Sequence, residues 1–187
     1  MRYIEKVRKY LKKTQIASVN SISRIVGNKN YAYLLLNYLI RKNEIYRIAK
    51  GYYSTKDDPT LLVFCLKPSY LGLEDALSFH NLWEQETIPV IITTRKVRQG
   101  KRKVFGHNVI VRRISPKYFF GYDYMKYGNF LVPVSDVEKT LIDLVYFRKR
   151  ISKELKRNLM KKINKKKLAN YLRKYPENIR NKAFIFK

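Results

Sequence analysis

Acidic residues are scarce in this sequence. The 187 residues include 14 Asp and Glu against 41 Lys and Arg, which gives a formal charge of +27 and a pI of about 10.2. This surplus exceeds what solubility requires and indicates a polyanionic partner, with nucleic acid as the leading candidate. Because 45% of the residues are hydrophobic and 14% are aromatic, the chain can still bury a core.

Cysteine and long apolar runs are also nearly missing. The single cysteine, Cys65, excludes an internal disulfide, and its apolar neighbours in TLLVFCL indicate a small buried hydrophobic residue rather than a nucleophile. No apolar run is long enough to span a bilayer, and the N-terminal MRYIEKVRKYLKK stays charged throughout, unlike a signal peptide. We therefore expect a cytoplasmic protein with no membrane partner.

Residues 1–55 have the pattern of three helices and a hairpin. Apolar residues at helical spacing predict a first amphipathic helix, and a second helix that begins after Ser18 and stops at Gly27. Asn28 is placed to cap a third helix. EIYRIAKGYYS then alternates like two strands about a turn at Lys50 and Gly51. This order predicts an N-terminal winged helix-turn-helix domain.

The third predicted helix has two different faces. Ala32, Leu35, Leu36 and Leu39 form one buried stripe, so the polar side chains are expected on the opposite, solvent-facing side. In a winged helix such a face enters the major groove and reads bases, while the wing contacts phosphates. The predicted recognition-helix residues are Asn28, Lys29, Asn30, Tyr33, Asn37 and Arg41, and the predicted wing residues are Arg47 and Lys50. The alternative is a small helical domain whose polar face is only solvated.

Residues 56–147 have the pattern of a mixed α/β domain. Two helices separated at KPSYLG are followed by strand-like runs in TIPVIITT, KVFGHNVIVRRI, KYFFGYDYM and NFLVPV. Ser135 and Glu138 form a capping box before the next helix, in which Asp136 is a favourable N-terminal acid and Asp143 is expected to be exposed or capping.

A basic loop, TTRKVRQGKRK, lies between the predicted strands. It is a candidate phosphate-contacting segment, although loop charge is commonly only solvated. Its basic residues are Arg95, Lys96, Arg98, Lys101, Arg102 and Lys103.

Residues 148–187 are rich in Lys and Arg and weakly amphipathic, which predicts a basic C-terminal extension of two helices. It could cover the core, lie along DNA or mediate association. The predicted fold class is therefore α+β, with a winged helix-turn-helix domain (1–55), a mixed α/β domain (56–147) and a basic helical extension (148–187).

No motif supports an enzyme. Glu154-Leu-Lys156 approaches the Glu-x-Lys spacing of metal-dependent nucleases, but it lies in a predicted helix without an acidic partner. His80 and His107 are far from any pattern that would complete a triad, and the chain has no Gly-rich phosphate loop. We predict a non-enzyme with no catalytic residue, no metal site and no cofactor.

Several stretches in a fixed order carry a family resemblance. YLGLEDALSFHNLWEQ, the FG…FFGY spacing and VSDVEKTLIDLVYF follow an N-terminal segment that ends in AKGYYS. Over residues 15–147 the chain resembles the AbiEi-type antitoxin and transcriptional-regulator family of abortive-infection, type IV toxin–antitoxin systems.

The resemblance implies a winged-helix repressor of its own operon, bound to repeats in promoter double-stranded DNA. It implies a second domain that opposes a nucleotidyltransferase-like toxin and does not require a stable complex with it. The implied DNA-contacting surface maps onto Asn28 through Arg41 and onto Arg47 with Lys50. A homodimer on the DNA is compatible with a repeat operator. The alternative is a less specific RNA- or DNA-binding protein without antitoxin activity.

Overall fold

A computed structural model of the chain describes residues 2–85 and 87–184. It divides into two units: the first contains the chain up to Cys65 together with Lys103–His107, and the second contains Leu66–Arg102 and the chain from Asn108 onward. The fold is α+β with a mixed sheet, which confirms the predicted class. The division between the units does not coincide with the predicted boundaries after residues 55 and 147.

The first unit combines helices with a small antiparallel sheet. The elements, in chain order, are α1 (Arg2–Lys13), β1 (Ala17–Ser18), α2 (Val19–Val26), α3 (Lys29–Arg41), β2 (Tyr46–Ala49), β3 (Tyr52–Ser54), a 3-10 turn (Pro59–Leu61) and α4 (Leu62–Cys65). In the sheet, β3 lies between β1 and β2.

The turn between α2 and α3 is only two residues long. Ser18 caps α2, since its hydroxyl accepts the Ser21 N–H at 3.0 Å. Gly27 ends α2 with a φ of +75°, a left-handed conformation that glycine adopts without a Cβ clash. Asn28 then caps α3 by accepting the Tyr31 N–H at 2.9 Å. The predicted stop and caps are confirmed, and they fix where α3 begins.

The core of the first unit is built from one apolar stripe of each helix. Ala32, Leu35, Leu36 and Leu39 are all buried on the inner side of α3, as predicted. They pack with residues from α1, α2 and the sheet, which include Val7, Leu11, Ile22, Val26 and Tyr53. Because a buried leucine contributes roughly 2 kcal/mol of apolar transfer free energy, this stripe sets the rotation of α3 about its axis.

The strands of the second unit are β4 (Ser69–Leu71), β5 (Val90–Thr93), β6 (Gly100–Val104), β7 (His107–Arg113), β8 (Tyr122–Tyr127) and β9 (Phe130–Ser135). Its helices are α5 (Leu73–Phe79), α6 (Val137–Tyr146), α7 (Lys153–Lys162), α8 (Lys165–Leu172) and α9 (Glu177–Phe184), and a 3-10 turn spans Pro116–Tyr118. The strands form a mixed sheet with the order β6-β7-β5-β4-β9-β8, in which β4 is antiparallel to β5 and parallel to β9, β5 is parallel to β7, and β8 is antiparallel to β9. The tip of the β6–β7 hairpin belongs to the first unit.

One local prediction for this part of the chain was wrong, and one strand was missed. Two helices are separated at KPSYLG as predicted, but the segment also contains β4, whose three residues are all buried. The cap of α6 is Asp136 rather than Ser135: the Asp136 carboxylate accepts the Lys139 N–H at 2.7 Å, whereas the Ser135 hydroxyl lies 2.7 Å from that of Thr140. Glu138 does lie in the first turn of α6, as predicted.

The basic helices after residue 148 cover the core of the second unit. The described residues form three helices there rather than the predicted two, and α6 packs against each of them. Buried apolar side chains of this extension join the same core as β4, α5 and α6; they include Leu155, Leu159, Leu168, Leu172, Tyr175 and Ala183. Of the predicted roles for this extension, the structure therefore shows the covering of the core.

Candidate nucleic-acid interface

The outer face of α3 is polar, basic and exposed. Because the buried stripe fixes the rotation of the helix, the residues at the complementary positions project into solvent. The exposed predicted residues of this helix are Lys29, Asn30, Tyr33, Asn37 and Arg41. The sixth predicted residue, Asn28, is exposed too, but its Oδ1 is engaged with the Tyr31 N–H in the helix cap.

Large apolar and aromatic side chains extend this face beyond the predicted set. Leu34 is 66% exposed, and Tyr31, Tyr33 and Tyr38 are 37%, 40% and 44% exposed. Tyr31, Leu34 and Tyr38 are not among the predicted residues, although helical spacing places Leu34 between Asn30 and Asn37 on the same face. Amphipathic rings and a leucine in such positions provide surface for packing against a base or a methyl group.

The β2–β3 hairpin carries two further exposed cations. Arg47 and Lys50 are both exposed, at the predicted positions. A register irregularity between Arg47 and Ala49 interrupts the pairing, and Gly51 completes the turn with a φ of +79°. The Gly51 carbonyl accepts the Val19 N–H at 2.9 Å, which ties the turn to the start of α2. The hairpin is therefore held against the helix pair.

Two acidic residues of the first unit, Glu5 and Glu44, are paired with Arg8. Glu44 is the single acidic residue between Glu5 and Asp57. The Arg8 guanidinium donates to both carboxylate oxygens of Glu44, at 2.8 and 2.6 Å, and to Glu5 at 2.6 Å. The hydrogen bond from Arg8 lowers the pKa of the Glu44 carboxyl, and the hydrogen bonds to Glu44 and Glu5 raise the pKa of Arg8, so Arg8 and Glu44 stay charged.

The cations of the exposed face differ from Arg8. Lys29, Arg41, Arg47 and Lys50 form no ion pair within residues 2–85 and 87–184. No described acidic residue therefore neutralises their charge, which is open to an external anion.

The predicted basic loop is partly a strand. Arg95, Lys96 and Arg98 are exposed in the connection between β5 and β6, whereas Lys101, Arg102 and Lys103 lie on β6 itself. Lys101 and Lys103 are exposed, but Arg102 is half-buried and its guanidinium donates to the Arg98 carbonyl. The interpretation of the whole segment as a loop was therefore wrong. Lys103 belongs to the first unit, and the other five residues belong to the second.

A charged cluster in the second unit lies inside the core instead. Lys139 forms an ion pair with Asp143, and the Tyr70 hydroxyl donates to the other Asp143 oxygen at 2.8 Å. All three residues are 0% exposed. The prediction that Asp143 is exposed or capping was wrong, because its partners include a tyrosine 73 positions away in the chain. Burial lowers the pKa of Lys139 and raises those of Asp143 and Tyr70.

Aromatic rings enclose the Lys139 ammonium. Its Nζ lies 5.5, 5.6 and 5.8 Å from the ring centroids of Tyr70, Phe120 and Tyr175. Such cation–π contacts partly compensate the loss of water around a buried cation. Because neither Lys139 nor Asp143 reaches solvent, we interpret this cluster as part of the core.

The residues considered for catalysis are either held within the fold or exposed at its surface. The His80 imidazole donates from Nε2 to the Ser135 carbonyl at 2.7 Å, and Cys65 is buried. Glu154 is exposed on α7, and His107 is exposed at the start of β7. Among the described residues, no group of three or more His, Cys, Asp or Glu side chains is placed to hold a metal ion. In the same residues, no helix is long and apolar enough to cross a membrane.

Comparison with known proteins shows a similarity of fold and no shared family. No family model matches the chain, and no curated protein matches it. Among solved structures, the chain is similar to the crystal structure of the RV2827C protein from Mycobacterium tuberculosis, with a TM-score of 0.64 and 13% sequence identity. The match covers 100% of this chain and 76% of the mycobacterial one.

Proposed function

We propose that this protein is a sequence-specific DNA-binding transcriptional repressor, and that its first unit is a winged helix-turn-helix domain. The observation that carries the proposal is the division of α3 into a buried apolar stripe and an exposed face with Lys29, Asn30, Tyr33 and Asn37. An exposed helix of this kind fits the major groove, where the donors and acceptors of asparagine match the edge of adenine.

The arrangement around α3 supports this proposal. The helix pair α2–α3, joined by Gly27 and Asn28, corresponds to a helix-turn-helix, and the β2–β3 hairpin corresponds to a wing. Arg47 and Lys50 on that hairpin are suited to contact phosphates next to the groove that α3 enters. The unpaired cations on α3 and on the hairpin supply the sequence-independent attraction that any duplex would experience.

The wider function follows from the family resemblance of the sequence. We propose that the protein represses its own operon by binding repeats in its promoter, as a homodimer where the repeats require it. We propose further that it is a cytoplasmic antitoxin that opposes a nucleotidyltransferase-like toxin without a stable complex, and that it has no catalytic activity of its own. The second unit is the candidate for the antitoxin role.

The direct test of repression is a comparison of two duplexes of equal length. The promoter duplex should bind at least about 10³-fold more tightly than a scrambled duplex at physiological salt. Equal affinity for the two duplexes would contradict the repressor proposal. The antitoxin proposal has its own test, which is growth rescue when this chain is expressed with a nucleotidyltransferase-like toxin.

A second candidate function is supported by the exposed tyrosines. Tyr31, Tyr33 and Tyr38 are partly exposed, and exposed aromatic rings can stack on unstacked bases in proteins that bind single-stranded or structured RNA. The same duplex titration separates the two candidates when a structured RNA is added to it. An RNA-binding protein should prefer the RNA and should not distinguish the promoter from the scrambled duplex.

A further inference from the structure

We infer that the tip of the β6–β7 hairpin, Lys103–His107, is a second phosphate-contacting element that extends the DNA-binding face of the first unit. The inference rests on the proposed function, since it concerns the same polyanion. The ligand of this tip is the sugar–phosphate backbone of duplex DNA.

The first observation is the conformation of the tip. Phe105 and Gly106 have φ values of +53° and +80°, the two consecutive positive values that a two-residue type I′ hairpin requires. Asn, Asp and Gly are the residues that favour this turn, whereas a bulky side chain in the left-handed region is unusual. Phenylalanine at position 105 therefore needs a reason other than turn propensity.

The contact of the Phe105 ring supplies that reason. Its ring packs edge-on against the ring of Tyr46, with centroids 5.7 Å apart. Tyr46 is the first residue of β2 and directly precedes the exposed Arg47. The ring contact thus holds the tip beside the strand that carries the proposed wing cation. Phe105 is a positioning residue in this arrangement.

The charge of the hairpin is the second observation. Residues 87–122 contain nine Lys and Arg and no Asp or Glu. Lys103 is exposed, lies two residues before Phe105 and belongs to the first unit, so the tip carries an ammonium that is open to solvent. A basic stretch without internal acids is complementary to phosphate, and its contacts release counterions from DNA.

The experiment measures the salt dependence of binding to the promoter duplex and to the scrambled duplex. Lys103→Gln should lower the slope of log affinity against log salt by about 0.9 on both duplexes, because one phosphate contact is lost. Between 50 and 200 mM salt, the variant should therefore lose about 3.5-fold less affinity than the wild type. The matched control is Lys126→Gln, an exposed lysine on β8 that should leave the slope unchanged.

Phe105→Gly tests the positioning role. Glycine suits the turn, so this variant should fold, but it removes the ring that contacts Tyr46. It should reproduce the slope of Lys103→Gln, and the double variant should show no further change, because both substitutions disable the same contact. A Phe105→Gly slope equal to that of the wild type would overturn the role of the ring contact.

Other outcomes separate this inference from the proposed function. A wild-type protein that does not prefer the promoter contradicts the repressor proposal, yet a slope change for Lys103→Gln on scrambled DNA would still support the contact. Wild-type slopes for Lys103→Gln on both duplexes would overturn the inference. The inference is also overturned if Lys103→Gln weakens the binding of a structured RNA but not of either duplex. It is overturned as well if the only effect of Lys103→Gln is aggregation, which is expected when a lysine protects a sheet edge.

Discussion

Each unit contains one distinctive set of charged side chains, and the two sets are placed in opposite ways. In the first unit, Arg47 and Lys50 point into solvent without an ion-pair partner among the described residues, and the apolar stripe of α3 faces inward. In the second unit, Lys139 and Asp143 are paired with each other in the core, beside the Tyr70 hydroxyl. Exposed unpaired charge is available to a ligand, whereas buried paired charge contributes to the specificity of packing. The contrast assigns the exposed charges that should affect binding to the first unit, and a buried charge pair that should affect stability to the second.

The largest effect is expected in the second unit. Lys139→Met leaves the Asp143 carboxylate buried without its cation, which should lower the free energy of unfolding by about 3–5 kcal/mol. Trp83, the single tryptophan, packs against this core, so its fluorescence during denaturant unfolding reports the effect. The control is Lys161→Met at an exposed position of α7, which should change the free energy by less than about 0.5 kcal/mol. A loss below about 1 kcal/mol for Lys139→Met would remove the contrast between the units.

Truncation of the α3 stripe should have the next largest effect. Leu36 is 0% exposed, and Leu36→Ala should destabilise the first unit by about 2–5 kcal/mol through lost burial and a residual cavity. Leu34→Ala is the matched control on the same helix, since Leu34 is mostly exposed. Denaturant unfolding followed by far-UV circular dichroism measures both. Equal losses for the two leucines would mean that the assigned faces of α3 are wrong.

Substitutions on the outer face of α3 should affect binding and spare the fold. Asn30→Ala, Tyr33→Ala and Asn37→Ala should each weaken promoter binding by about 1–3 kcal/mol where a base contact is lost, with a smaller loss on scrambled DNA. Their melting temperatures should stay close to that of the wild type, because the residues are exposed. Asn178→Ala on α9 is the matched control. If all three variants bind the promoter as the wild type does, α3 does not read DNA.

The smallest effect concerns the β2–β3 hairpin. Arg47→Ala and Lys50→Ala should weaken binding to all duplexes alike and reduce the log–log salt slope by about 0.9 per lost phosphate contact. Salt titrations on promoter and scrambled DNA measure this, with Lys126→Ala as the control for a change of one surface charge. Unchanged slopes at both positions would contradict the assignment of this hairpin as a wing.

Local patterns in the sequence were sufficient to predict the first unit's helices. The spacing of Ala32, Leu35, Leu36 and Leu39 identified the buried side of α3, and Gly27 with Asn28 identified its start, because caps and helical periodicity depend on near neighbours. The exposed positions of the predicted α3 and hairpin residues follow from the same patterns. Their contact with DNA stays a prediction.

Features that depend on distant residues were missed. Asp143 was expected at the surface because its Tyr70 partner is far away in the sequence, and β4 was missed because three residues between Pro68 and Gly72 are too few for a periodic signal. The cap of α6 was placed one residue early, since Ser135 and Glu138 fit the capping-box spacing while Asp136 forms the actual cap. The ring contact of Phe105 with Tyr46 is likewise long-range.

The central claim is that promoter DNA is bound by the exposed face of the first unit. Lysine acetylation, followed by mass spectrometry with and without the promoter duplex, tests it directly, because a lysine that contacts phosphate is shielded from the reagent. We expect the duplex to slow acetylation of Lys29 and Lys50 and to leave Lys161, Lys165 and Lys166, which are exposed in the second unit, at their free rates. Protection confined to the three lysines of the second unit would contradict the account.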